Sequence, residues 1–213
     1  MNPLRAAVGH WTGRVRALAA RVADGWLRPA LGERGWDGLR RAVYALEEAA
    51  DRRTATTRLG ATPADVAAKA AIGVVDDPGL DAFHAYLVRH GHDAAWLLGL
   101  VQQRGAVALA AWWKGRPIAH VLLVPRAPLP DGRPAVQLVN LYVEPALRGH
   151  GLGMRLLVAF RARARREGAT AVRLAANRGD ARAVGFYQKA GFRFVAGPAG
   201  SRRPGRVVLE ADA

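Results

Sequence analysis

The sequence predicts an α/β fold, an α+β mixed sheet with helices packed on it, behind a helical N-terminal extension. Three observations carry this. Apolar residues recur at helical spacing through about the first 60 positions, the texture changes at Gly105 to short β-branched runs separated by turns, and a glycine-rich turn at 148–153 joins one such run to an amphipathic stretch. The 213 residues, 51% of them hydrophobic, suffice for one substantial core, or for one domain with a smaller appendage.

In the first segment Leu4, Val8, Trp11, Val15, Leu18, Val22 and Trp26 alternate spacings of three and four, so they line one helical face. Pro29 and Gly32 interrupt it, and Trp36, Leu39, Val43 and Leu46 repeat the pattern. The two stripes are expected to pack on each other or on the domain C-terminal to them, with Trp11, Val15 and Leu18 buried. Thr62-Pro63-Ala64-Asp65 has the cap, proline and acid of a helix start, and Ala70 to Val75 reads as the end of that helix or as a strand. Asp77-Pro78 and Asp93 open two further helices, to about Gly91 and Val101.

From Gly105 the runs Val107–Trp113 and Ile118–Val124 flank the turn 114–117, which predicts a hairpin. A Pro- and Gly-rich loop leads to a third strand, Val136–Val143. After the glycine turn come a helix to Gly168, a strand at Ala171–Ala176, a helix at about Ala181–Ala190, and strands near Arg193–Val195 and Val207–Glu210.

Composition excludes several chemistries. With no cysteine there is no disulfide, no thiolate metal site and no cysteine nucleophile. The histidines show no metal-ligand spacing, so no metal is expected. The formal charge is +15, yet only Lys69, Lys114 and Lys189 are lysines and the other basic residues are arginines. That excess suits an acidic or RNA substrate, and equally a solvated surface in an arginine-biased chain. No apolar run reaches the roughly 18 residues that span a bilayer, and Arg5, Arg14, Arg16 and Arg21 break up any leader-like stretch, so a soluble cytoplasmic chain is expected.

A strand that ends in a glycine-rich turn and feeds a helix is suited to anions, because the first helical amides lack internal partners and the dipole is positive there. Glycines at 149, 151 and 153 let the backbone approach a diphosphate closely. The stretch from Asn140 to Gly153, with Leu141-Tyr142-Val143, Pro145 and then Arg148-x-x-Gly151-x-Gly153, resembles the strand and Arg/Gln-x-x-Gly-x-Gly/Ala loop of the Gcn5-related N-acetyltransferase (GNAT) superfamily. The stretch Asp180 to Phe192, ending Phe186-Tyr187-Gln188-Lys189-Ala190-Gly191-Phe192, resembles that family's later motif. Both occur in the family's order across 105–213.

The apolar spacing gives a helical extension over 1–60, and the resemblance implies an acetyltransferase domain over 61–213, with its motifs in 105–213. It also implies that the strand at 136–143 splays from the one at 171–176 to hold pantetheine. Leu141, Tyr142 and Val143 would contact pantetheine through the main chain, with an amide near Leu141 as oxyanion donor. The amides of Gly149, His150, Gly151, Leu152, Gly153 and Met154 would cradle the pyrophosphate, with Arg148 adding charge. Tyr187 falls on the tyrosine that protonates the departing thiolate; core packing beside Phe186 and Phe192 is its structural alternative. Lys189 belongs to the same cofactor-binding motif. Asp180 stands where the family often has Asn; either caps a helix, and Asn177 is the alternative contact to coenzyme A.

For the general base, the family's acid or His on the central strand would fall on Gln137 or Val139, and neither titrates. Glu144, beside Pro145, is expected on the surface. His120 on the hairpin is the remaining titratable candidate, and loss of the proton through water is the alternative, easiest for an α-amine of pKa about 8. The implied activity is direct acetyl transfer from acetyl-CoA to an amine of a small molecule, peptide or protein. Acetylation of aminoacyl-tRNA in the manner of a toxin, and a non-catalytic CoA-binding interaction module, are the alternatives.

Overall fold

The computed structural model describes residue 49, residues 55–195 and residues 205–213. The stripes at Leu4–Trp26 and Trp36–Leu46 lie outside the described residues. Residues 55–59 are helical, and Ala55 and Leu59 are buried in the same apolar cluster as the sheet, so packing is continuous across residue 60. Trp113 donates its indole N–H to the Leu59 carbonyl at 2.9 Å.

Helix α1 (Pro63–Lys69) starts as its residues dictate: the Thr62 hydroxyl accepts from the Asp65 amide and Pro63 opens the first turn. Ala71–Val74 then forms strand β1. Helices α2 (Asp77–Arg89) and α3 (Ala94–Arg104) are capped by the side chains of Asp76 and Asp93, and left-handed Gly105 ends α3. Strands β2 (Val107–Trp113) and β3 (Arg116–Pro125) form the expected hairpin, with Lys114 and Gly115 both at positive φ as a tight two-residue turn requires. β4 (Ala135–Val143), a 3-10 turn (Pro145–Leu147), α4 (Leu152–Arg166), β5 (Ala171–Asn177), α5 (Ala181–Lys189), β6 (Arg193–Phe194) and β7 (Arg206–Asp212) complete the described chain.

These strands form one mixed sheet in the order β1-β2-β3-β4-β5-β7-β6, with only β4 and β5 parallel and β7 inserted between β5 and β6. One core holds α1, α4 and the inward faces of the central strands, through residues such as Ile118, Leu156, Phe160 and Leu174. On the opposite face α2 and α3 pack Phe83, Leu87 and Leu97 against Ala108, Ala110, Leu122 and Val124. Arg155 of α4 donates to the carbonyls of Ala67 and Ala70 at the end of α1, which fixes the direction in which α4 presents its N-terminus. Among the described residues no helix is long and apolar enough to cross a membrane.

Candidate active site

Strand β4 is irregular on both sides. Against β3, His120 pairs with Tyr142 and Leu122 with Val139, so Asn140 and Leu141 together oppose the single residue Val121. This is a β-bulge, and Asn140 adopts φ of 49° to make it. The extra residue resets the alternation: Gln137, Val139 and Tyr142 share the face covered by α2 and α3, whereas Leu138 and Val143 join the core under α4. Against β5 the pairing covers only Ala135, Val136 and Gln137, opposite Ala171, Val172 and Arg173. Beyond those three pairs the strands part, and the backbone groups of β4 on that side are not used by β5.

The glycine turn sits at the far end of β4. Gly149 and Gly151 have φ of 85° and 82°, and a Cβ built on either meets nothing within 4 Å, so the backbone is bare on its open side. Gly151 is the N-cap of α4 and, among the described residues, no side chain caps the helix, so amides of its first turn stay available to an anion. Gly153 is enclosed: a Cβ there would stand 3.6 Å from the Phe186 ring and from Val143. That contact brings α5 across the mouth between β4 and α4.

Tyr187, next to Phe186, is 9% exposed, and its ring stands 5.6 Å from Phe192, centroid to centroid, and 5.2 Å from Phe186. Burial, and then the charge of Asp180, push its phenol up to about 12. The Asp180 side chain caps α5, accepting from the Ala183 amide at 3.0 Å. Asn177 accepts from the Gly179 amide at 2.9 Å, while Lys189 and His150 are exposed. Arg148 folds back, giving its Nε proton to the Val143 carbonyl at 2.9 Å with its guanidinium 5.4 Å from the Tyr142 ring centre.

The α2 side of the bulge holds a polar network that sequence reasoning missed. Glu144 is expected on the surface; in the structure it is 0% exposed. It is held by Arg58 at 2.9 Å, Arg116 at 3.0 Å and His90 Nε2 at 3.2 Å, residues 86, 28 and 54 positions away, so nothing adjacent to it announces its burial. Burial opposes its ionisation, but the His90 hydrogen bond and the arginine charges outweigh this and hold the carboxyl below its usual value. His90 Nδ1 in turn lies 3.1 Å from the Tyr142 hydroxyl. His92 presses edge-on against Tyr142, at 4.5 Å between ring centres, and its Nδ1 lies 3.5 Å from the Asn140 amide nitrogen.

His120 faces the same cluster from β3, but it too is 0% exposed, with Nδ1 3.3 Å from the Tyr86 hydroxyl. Burial, then the neighbouring His92 and His90, hold its imidazole well below the usual value, so it is neutral. Among the described residues no three His, Asp or Glu side chains are placed to hold a metal. The same sheet face continues past the splay to a cavity of about 490 Å³ over β5 and β7, lined by Arg133, Arg173 and Arg193 around Glu210 and Asp212. It is separate from the glycine turn and from Tyr187.

The acetyltransferase (GNAT) family model matches residues 76–192. The chain belongs to the GNAT family. The match runs from the cap of α2 to Phe192 and so takes in the bulge, the glycine turn and Tyr187; family membership makes the protein an acyltransferase. Its fold is that of solved GNAT structures. The YhbS N-acetyltransferase of Escherichia coli, in complex with CoA, is 22% identical over 67% of this chain and 81% of that one, with a TM-score of 0.56. The GNAT domain of S. lividans PAT is 18% identical over 68% and 90%, at 0.55. The PaiA N-acetyltransferase of Thermoplasma acidophilum, in complex with coenzyme A, is 16% identical over 68% and 99%, at 0.54. No curated protein matches the GNAT chain significantly in sequence.

Proposed function

We propose that the protein transfers acetyl from acetyl-CoA directly to a primary amine, with donor and acceptor meeting at the bulge of β4. The observation that carries this is the early end of the β4–β5 ladder, with a bare glycine turn at one end of the opening and Phe186, next to Tyr187, packed against Gly153 of that turn. The residues suit the donor: first-turn amides of α4 for a pyrophosphate, and the stretch of β4 from Leu141 to Val143 that β5 does not pair for an extended amide chain, where the Val143 carbonyl is held by Arg148. Acetyl-CoA supplies an activated thioester.

The chain supplies the rest. An amide beside Leu141, at the bulge, donates to the carbonyl oxygen as charge develops there. Tyr187, held protonated by burial, has a proton for the departing sulfur. With no cysteine in the chain, transfer through a cysteine thioester is excluded and direct attack is the simplest route. Release of free thiol from acetyl-CoA, measured with the full chain and a panel of primary amines, tests the reading. Amine-dependent release supports it, and CoA binding without release for any amine contradicts it.

A further inference from the structure

We propose that Tyr142 is the residue that takes the proton from the attacking amine, passing its own to His90, whose imidazolium Glu144 holds. This rests on the acyl-transfer reading above and supplies the base that Gln137 and Val139 do not. The first support is position. The bulge at Asn140 turns Tyr142 onto the face of Gln137 and Val139, one residue beyond Leu141, and its side chain is partly exposed.

The second support is the order of atoms. Tyr142 Oη, His90 Nδ1, His90 Nε2 and Glu144 Oε1 form a chain with links of 3.1 and 3.2 Å. Glu144 is ionised and can only accept, so His90 Nε2 carries the proton that joins them. Neutral His90 then has an unprotonated Nδ1, and the Tyr142 hydroxyl must donate to it. A hydroxyl, an imidazole and a buried carboxylate in that order form the arrangement by which a weakly basic oxygen acquires and loses protons near neutral pH. The third support is what the alternative lacks: the acceptor of the first proton must touch the amine, and His120 has no exposed surface through which to do so.

The step balances. The nitrogen–carbon bond forms and the carbon–sulfur bond breaks; the amine proton goes to Tyr142 Oη, the Tyr142 proton to His90 Nδ1 and from there to water. The sulfur takes its proton from Tyr187, which regains one from water. Among the described residues, the groups that face the relay include Tyr86, His92, His120 and Arg148 around Tyr142, and Arg58 and Arg116 on Glu144. Tyr142 is the catalytic residue; His90 and Glu144 are positioning residues.

Two measurements on the full chain test this. In the absence of any donor, nitrogen-15 spectra of the histidine rings should show His90 with Nε2 protonated and Nδ1 not, and Tyr142→Phe should shift the Nδ1 resonance. With acetyl-CoA and spermidine, an alanine-terminated peptide or a lysine peptide as acceptor, Tyr142→Phe should lower kcat at neutral pH by about 10²- to 10⁴-fold. CoA affinity should be unchanged, the deficit should narrow as pH rises, and added imidazole should restore part of the rate of His90→Ala. An Nδ1-protonated His90, or a normal kcat for Tyr142→Phe beside an active wild type, overturns the relay alone. A wild-type chain that releases no thiol with any acceptor overturns the transferase reading beneath it.

Discussion

Gln137 and Arg173 form the last pair between β4 and β5. Up to that point the two parallel strands share a ladder; beyond it β5 stays paired with β7 through Asn177 while β4 continues to Val143 without pairing to β5. The opening is built into the strand pairing, and the glycine turn lies at its end with Phe186, next to Tyr187, against Gly153.

Replacing Gly151 by Ala should weaken CoA binding by at least tenfold. Its φ of 82° is poorly suited to any side chain, so the same change also strains the turn, by about 1–2 kcal/mol. Gly115, at φ of 74° in the β2–β3 turn, provides the control, because Gly115→Ala carries similar strain far from the glycine turn. Calorimetric titration of both variants should show the loss of affinity only for Gly151→Ala; equal losses would reduce the effect to general destabilisation.

Tyr187→Phe keeps the ring between Phe186 and Phe192 but removes the proton. It should lower kcat by about 10²- to 10⁴-fold with little change in CoA affinity. A near-normal kcat, where chemistry is shown to limit turnover, would return Tyr187 to the apolar core.

Glu144 should make the fold acid-sensitive. Its folded-state carboxyl titrates below the ordinary 4.5, so the stabilisation it contributes is complete above that value and is lost as pH falls through the folded one. Glu210, held down by Arg173 and Arg133 against its own burial, adds to the same slope. Urea unfolding between pH 3 and 6 should show stability falling toward acid, and Glu144→Gln should flatten that dependence. An unchanged slope would mean that the ion cluster does not form in solution.

Leu59 tests where the folded unit begins. It is 2% exposed within the main core, so Leu59→Ala should cost about 2–5 kcal/mol although it precedes the catalytic family match. A change below about 0.5 kcal/mol would detach residues 55–59 from the domain.

The glycine turn, the hairpin and the motif around Tyr187 are legible in the sequence because each depends on neighbouring residues: positive φ at Gly149 and Gly151, a two-residue turn at Lys114-Gly115, apolar spacing along α5. Ala71–Val74, open between helix and strand, is settled as a strand by its pairing with β2. The proton network was not legible for the opposite reason. Glu144 is buried by cations 28 to 86 positions away, and one bulge residue, Asn140, moves Tyr142 to a face that simple alternation from Val139 would deny it. Long-range pairing of charges and a single shift of register leave no periodic trace.

Coenzyme A binding at the parted strands is read out by titrating the nitrogen-15-labelled full chain with coenzyme A and following its amide shifts. The shifts should centre on Leu141 to Val143, on Gly149 to Gly153 and on the α5 turn bearing Tyr187. Shifts confined to Arg133, Arg173 and Arg193 over β5 and β7, with the glycine turn unmoved, would contradict it.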